Sequence, residues 1–438
     1  MSAPAYLDYL AQLPSLAAQN QNSLAPEEFQ LARVAGLLAA LGELQQAYPS
    51  LHVAGTHGKG SLCALCAAAL QAHGYRTGLF TSPNLAGDVH GIRIDGVAAA
   101  PELLQAAFAR LYPYLQAQPG WTYFEVSVAL MFTAFALAAV DVAVIEVGLG
   151  GRLDATNVLR PRVSVITPID LDHTAILGGS LAEIAAHKAG IIKPGVPVVS
   201  AAQPAEAAAV IAAQAAALNA PLSRVGVEWQ VQPLAAAAGG QTLRVRGAAG
   251  DWQPLQIRLL GAHQIGNAAT AYAALQTLAD TGLPVSLAAI QTGFAAARWP
   301  GRFEVHPGQP TVILDGAHSP GAARALRAAL DTYFPEVPVV LVLGVSADKD
   351  LPGLLSALLP RIQQAYATQA AQPRAMPAAE LVERLGALGL PARAAPQPAA
   401  ALAAAQAACP PGGVVLVAGS LFLVEEVGED LGAEPSTN

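Results

Sequence analysis

Short apolar runs alternate with longer helical stretches from residue 51 onward. The run 51–54 reads as a buried strand and 62–71 as a helix. A strand at 77–80, a long apolar helix at 126–139, strands at 142–145, 163–167 and 196–200, and an alanine-rich helix at 204–219 follow. The run 142–145 is apolar throughout, the pattern of a parallel strand covered on both faces. The texture changes at 228–232, 242–246 and 255–260, where short alternating runs among glycine-rich turns predict a small antiparallel sheet. Helices return at 263–279 and 287–297. Arg298-Trp299-Pro300-Gly301-Arg302 then reads as a hinge, because Pro and Gly break both regular structures. Beyond a turn at 307–310, a second alternation predicts strands at 311–314, 339–343, 365–369 and 414–418. Helices at 321–333, 351–359, 377–388 and 398–408 lie between them, and 429–438 reads as a loose tail. Two blocks of alternating strand and helix predict an α/β fold with a larger domain over 1–297 and a smaller Rossmann-like one over 298–438.

The chain has 438 residues, which exceeds one typical core and agrees with two domains. Hydrophobic residues make up 53% and charged ones 12%, so membrane spans must be tested. The longest apolar candidate, 126–140, is interrupted by Ser127 and Thr133, closed by Asp141, and shorter than the ~20 residues a spanning helix needs. It reads as a buried core helix. The net charge is −8 and no Lys/Arg-rich block occurs, which argues against a nucleic-acid groove. Residues 1–13 carry neither a basic nor an apolar leader segment. Three cysteines make no disulfide framework, and Cys63 and Cys66 read as packing residues inside a helix. A cytoplasmic location is expected.

Between the strand at 51–54 and the helix at 62–71 stands Gly55-Thr56-His57-Gly58-Lys59-Gly60-Ser61. Glycines that let backbone N–H groups approach, a helix N-terminus and one lysine are the means of holding a triphosphate. The hydroxyl needed near a metal falls at Ser61, and the spacing is a shortened variant of the P-loop. Glu146 ends the strand at 142–145 and opens the run Glu146-Val147-Gly148-Leu149-Gly150-Gly151-Arg152-Leu153-Asp154-Ala155-Thr156-Asn157. A carboxylate at a strand's carboxyl end is a natural hard-cation ligand, and the dense glycines predict close approach of a ligand or another backbone. Asp170-Leu171-Asp172-His173-Thr174 lies just beyond another strand, which makes His173 a metal candidate. Lys188, within an apolar helix, reads by spacing alone as a solvated surface lysine.

Together these segments resemble the folylpolyglutamate synthase and dihydrofolate synthase family, relatives of the Mur ligases, from about Leu24 to Val424. Further segments carry the resemblance: Ser82-Pro83, Tyr123-Phe124-Glu125, 187–194, Gly261-Ala262-His263-Gln264 with Asn267, 299–304, 314–320 and Gly419-Ser420. The resemblance implies a P-loop-containing, Mur-ligase-like N-terminal domain plus the smaller Rossmann-like C-terminal domain. It implies ATP-dependent ligation of L-glutamate to dihydropteroate or reduced folates through an acyl phosphate. Gly58, Lys59, Gly60 and Ser61 would hold ATP phosphates, and Asn267, Arg302, Asp315 and His318 would make further ATP contacts. Ser82, Glu146 and His173 would bind one or two Mg²⁺. Lys188 would become an N-carbamate, and Lys59, Lys188 and His173 would carry the catalysis. Phe124 would stack on the pterin, Asp154 would hydrogen-bond it, and Ser420 would help hold glutamate. Small-molecule substrates, no nucleic-acid or membrane partner, and a monomer are expected. His57, Asn84 and Ser319 depart from the family pattern, which often has Asn, His and Asn there. A Mur-type ligase acting on a UDP-muramoyl substrate and a non-enzymatic nucleotide-gated binder are the alternatives.

Overall fold

The computed structural model describes residues 3–14, 31–82, 91–248 and 250–431. The larger body is built on eight strands: β1 (Ser50–Ala54), β2 (Thr77–Phe80), β3 (Ile92–Ile94), β4 (Val97–Ala98), β5 (Val142–Glu146), β6 (Val163–Ile166), β7 (Val198–Ser200) and β8 (Leu222–Arg224). Their spatial order is β4-β3-β2-β5-β1-β6-β7-β8. All neighbours are parallel except β2–β3 and β3–β4. Every residue of β1 and β5 is buried, because helices cover both faces. On β5, Val142 and Val144 point into a core shared with the helices Lys59–His73, Ala262–Asp280 and Leu287–Ala296. Ala143 and Ile145 point the other way, towards the helices Pro101–Ala117 and Tyr123–Leu137.

The helix expected at 126–139 spans Tyr123–Leu137. Its start is set by a capping box in which Thr122 and Glu125 satisfy each other's backbone N–H, a device that contributes about 1 kcal/mol. That signal lies just before the apolar run. Its 15 residues are fewer than a span needs, and no described helix is long and apolar enough to cross a membrane.

The antiparallel sheet is present as β9 (Trp229–Ala237), β10 (Gly240–Gly247) and β11 (Gln253–Ile257), docked through Leu243, Val245, Leu255 and Ile257. Strand β9 runs past Pro233, which a sheet edge tolerates. The second body holds β12 (Glu304–His306), β13 (Thr311–Leu314), β14 (Val339–Leu343), β15 (Ile362–Ala367), β16 (Ala392–Ala394) and β17 (Val414–Ala418), ordered β12-β13-β17-β14-β15-β16. Only β12 is antiparallel. Residues 429 and 430, expected in a loose tail, close the helix Leu421–Asp430 instead, and 432–438 lie outside the described residues.

Candidate active site

The helix after β1 begins at Lys59, three residues before the apolar run suggested, with Gly58 as its cap at φ +83°. Lys59 and Ser61 therefore sit in the first turn, where backbone N–H groups lack intrahelical partners and the dipole is positive. A Cβ at position 58 would fall 2.3 Å from Asn267 Oδ1, so only glycine lets the helix Ala262–Asp280 press this close. Asn267 donates to Gln264 Oε1 (2.8 Å), and Gln264 donates to Ser61 Oγ (3.2 Å). From the linker between the two bodies, the Trp299 indole lies over Gly60. Beneath the loop, Pro168 O accepts from Thr56 N (3.0 Å) and His57 N (3.2 Å). His57 Nε2 lies 3.3 Å from Asp170 Oδ2.

Charges converge on this loop. Lys59 Nζ is 3.8 Å from Glu146 Oε1 at the carboxyl end of β5. Burial raises the Glu146 carboxyl to about 7, opposed by Lys59, Arg302 and a hydrogen bond from the Ser82 backbone. Ser82 Oγ is buried and has no hydrogen-bond partner among the described residues, which leaves its lone pairs free for a cation. Pro83 and Asn84 lie outside the described residues. His173 sits at φ +49°, capping the short helix Thr174–Leu177, with Nε2 3.6 Å from Asp172 Oδ2. Burial lowers its pKa to about 4 against the pull of Asp172, so the ring is neutral near pH 7 and can act as a ligand. No three His, Cys, Asp or Glu side chains converge among the described residues. The Ser82 and Glu146 oxygens are the hard donors Mg²⁺ takes, the His173 imidazole is a softer one, and Mg²⁺ normally completes its shell with water and phosphate.

Lys188 is not on the surface. It is 5% exposed and donates from Nζ to Gly55 O at 2.7 Å. Burial, then the Lys59 charge, lowers its pKa to about 7. The glycine-rich run explains how it is held. A Cβ at Gly151 would fall 2.7 Å from His187 O and 3.0 Å from Lys188 O. Arg152 N donates to His187 O (2.8 Å), and Asn157 Nδ2 donates to Arg152 O and Gly190 O. The run therefore clamps the end of the helix Leu181–Ala189, so the close approach its glycines predicted includes another backbone.

Phe124 is half-buried, its ring against Gly148 and 6.3 Å from that of Phe80. Asp154 is turned inward. It accepts from Leu149 N (2.8 Å), Thr156 N (3.0 Å) and Thr156 Oγ1 (2.5 Å), and so anchors the same run. Asp315 is buried, accepts from Phe303 N and Ala317 N, and feels the Arg302 charge. His318 Nδ1 donates to Gly316 O (2.8 Å). Ser420 caps the helix Leu421–Asp430 through Phe422 N. Lys349 went unnoticed in the sequence. Against burial, His173, Lys349 and His318 hold Asp172 down to about 2, so this carboxylate of the first body faces two cationic or polar groups of the second. The available signal was Asp348-Lys349-Asp350 beyond the end of β14.

A P-loop body and a smaller parallel-sheet body meeting over a cleft of lysines and carboxylates define an ATP-dependent ligase of the Mur type. Residues 53–275 match the Mur ligase middle domain and 301–421 match the Mur ligase, glutamate ligase domain. The chain is 39% identical over 366 residues to the Mycobacterium tuberculosis dihydrofolate synthase/folylpolyglutamate synthase, covering 79% of this chain and 75% of that one. It is 36% identical to the Escherichia coli enzyme of the same description, covering 93% and 92%. The structure superposes with a TM-score of 0.89 on M. tuberculosis folylpolyglutamate synthase complexed with ADP, and of 0.85 on E. coli FolC in complex with DHPP and ADP. Each is 34% identical, with 98% of both chains covered. The chain belongs to the dihydrofolate synthase/folylpolyglutamate synthase family, whose members are ATP-dependent carboxylate–amine ligases adding L-glutamate to folates. This protein is such a ligase, and the family decides against the UDP-muramoyl alternative and the non-enzymatic binder.

Proposed function

We propose that the cleft joins glutamate to dihydropteroate or a reduced folate through an acyl phosphate on the acceptor. The observation that carries this reading is Lys59 in the first turn of the P-loop helix, 3.8 Å from the buried Glu146, beside the Ser82 hydroxyl, which has no partner among the described residues. A carboxylate does not react with an amine directly because its oxygen is a poor leaving group. Attack of the acceptor carboxylate on the γ-phosphorus of ATP gives an acyl phosphate and ADP. The amine of L-glutamate then adds to the acyl carbon and inorganic phosphate departs.

Gly58, Lys59, Gly60 and Ser61 hold the phosphates, with Lys59 stabilising charge as the γ-phosphoryl group moves. One or two Mg²⁺ held by Ser82, Glu146 and His173 would neutralise phosphate charge. Asn267 reaches the nucleotide from the first domain, and Arg302, Asp315 and His318 from the second. Phe124 offers the pterin a face, Asp154 fixes the loop beneath it, and Ser420 lies towards glutamate. Acceptor labelled with ¹⁸O in the reacting carboxylate tests the route. One label should pass to inorganic phosphate, with ADP as co-product, whereas label in AMP would replace this route by adenylation.

Lys188 is suited to carbamate formation. Burial disfavours its ammonium form, and the neutral amine adds CO₂ with loss of a proton, leaving an anion near Lys59. Lys188→Ala should be inactive and partly rescued by a short carboxylic acid. A fully active Lys188→Ala enzyme would remove the carbamate from the scheme.

A further inference from the structure

The P-loop rests on a platform, and one side chain outside the cleft holds that platform. Residues 167–170 follow β6 and dock beneath the loop. Thr167 N donates to Ala54 O (2.8 Å), and Pro168 O accepts from Thr56 N and His57 N. Asp170 N donates to Thr56 Oγ1, which donates back to Asp170 O, each at 3.1 Å. The ladder between β6 and β7 ends at Ile166 and Ser200, so no strand neighbour supports this segment from the β7 side. Gln203 takes that place. It follows β7, two residues before the helix Ala205–Ala217, and is half-buried. Its Oε1 accepts from Ile169 N at 2.9 Å and its Nε2 donates to Thr167 O at 3.0 Å, so one amide grips both ends of the segment 167–169. Longer contacts at 3.4 Å reach Ile166 O and Ser200 Oγ.

We infer that Gln203 is a positioning residue for nucleotide binding. It never meets the ligand. It sets the height of Pro168 and Asp170, which pin Thr56 and His57 and thereby aim the N–H groups of 58–61 at the phosphates. The same segment continues into Asp172 and His173. The rest of the site is reached differently, since Phe124 belongs to a helix whose core lies on the sheet face opposite that of the P-loop helix. Gln203 therefore acts on nucleotide affinity and not on acceptor affinity.

This inference rests on the P-loop as the ATP site, and calorimetry with ADP separates the two. Wild type should bind ADP. Gln203→Leu removes both hydrogen bonds and should weaken ADP binding by about tenfold, the scale of one or two net hydrogen bonds. The KM for ATP should rise in parallel while the KM for the folate acceptor stays unchanged. Gln203→Glu keeps an acceptor for Ile169 but turns an unprotonated oxygen to the Thr167 carbonyl. It should also weaken ADP binding by several-fold, and it carries the test if Gln203→Leu does not fold. Unchanged ADP affinity in a folded variant, even with a lowered melting temperature, overturns the inference. A wild-type protein that binds no ADP overturns the P-loop reading beneath it.

Discussion

His52 lies fully buried on β1 with Nε2 2.9 Å from Thr156 Oγ1. The Thr156 hydroxyl donates its proton to Asp154, so it can only accept from His52, which places the imidazole proton on Nε2. The other ring nitrogen, Nδ1, is buried without a hydrogen-bond partner among the described residues. Protonating it would create a buried charge, so burial, with Lys193 adding, lowers the pKa from 6.5 to about 3. The folded pKa is depressed, so this contribution to stability is present above about 6.5. It is lost as pH falls towards about 3, because the unfolded chain binds the proton first. His52→Gln keeps a donor for Thr156 and does not titrate. Its melting temperature should fall less steeply than that of wild type between about pH 7 and pH 4. Parallel curves would mean that His52 does not shape the acid limb. None of this was legible in the sequence, where His52 is a polar residue in an otherwise mostly apolar run.

At the scale of elements, the run 146–157 joins three jobs that its glycines only hinted at. It continues β5 beyond Glu146, clamps the helix that carries Lys188, and seats Phe124 on Gly148. A Cβ at position 148 would fall 2.4 Å from Phe124 Cζ, and Gly148 has no positive φ, so Gly148→Ala strains no backbone and acts through the ring. The variant should raise the acceptor KM several-fold, because a displaced ring forfeits stacking on the order of 1 kcal/mol. The ATP KM should hold. A drop in melting temperature with an unchanged acceptor KM would make Phe124 a packing residue only. Element existence was legible along most of the chain because periodicity is a local property. β3, β4, β8, β12 and β16 were not, being short or only partly apolar, and the helices Tyr6–Leu10, Leu31–Ala40, Pro101–Ala117 and Leu421–Asp430 were not assigned either. The start of the helix Tyr123–Leu137 was missed because its capping box lies outside the apolar run.

For the whole molecule, the two bodies meet through polar groups at the site, and away from it Leu260 of the first packs into the core of the second beside the hydrogen bond from Gly261 N to the Tyr333 hydroxyl. The Lys349 charge of the second body helps hold Asp172 of the first ionised, Arg302 acts on Glu146, and Trp299 covers Gly60. A nucleotide on Lys59 that also reaches Arg302, Asp315 and His318 would add its own bridge. We therefore propose a domain boundary at 297/298 and expect closure about the linker 298–302. Small-angle scattering should give a larger radius for free protein than for protein with a non-hydrolysable ATP analogue and the pterin acid. The mass should be that of a single chain. Equal radii under saturating ligands would argue that the bodies are fixed.

The sequence by itself determined the two-block α/β order, the P-loop between β1 and its helix, and the carboxylate at the end of β5. Each depends on residues adjacent in the chain: apolar periodicity, a glycine turn and a helix N-terminus. Only the tertiary structure decided the state of Lys188, whose partner Gly55 is 133 residues away. The same holds for the Ser82 hydroxyl, buried without a partner among the described residues, the inward turn of Asp154 and the effect of Lys349 on Asp172. A side chain's burial, proton affinity and free valences are set by whatever packs around it, and here that material comes from distant segments.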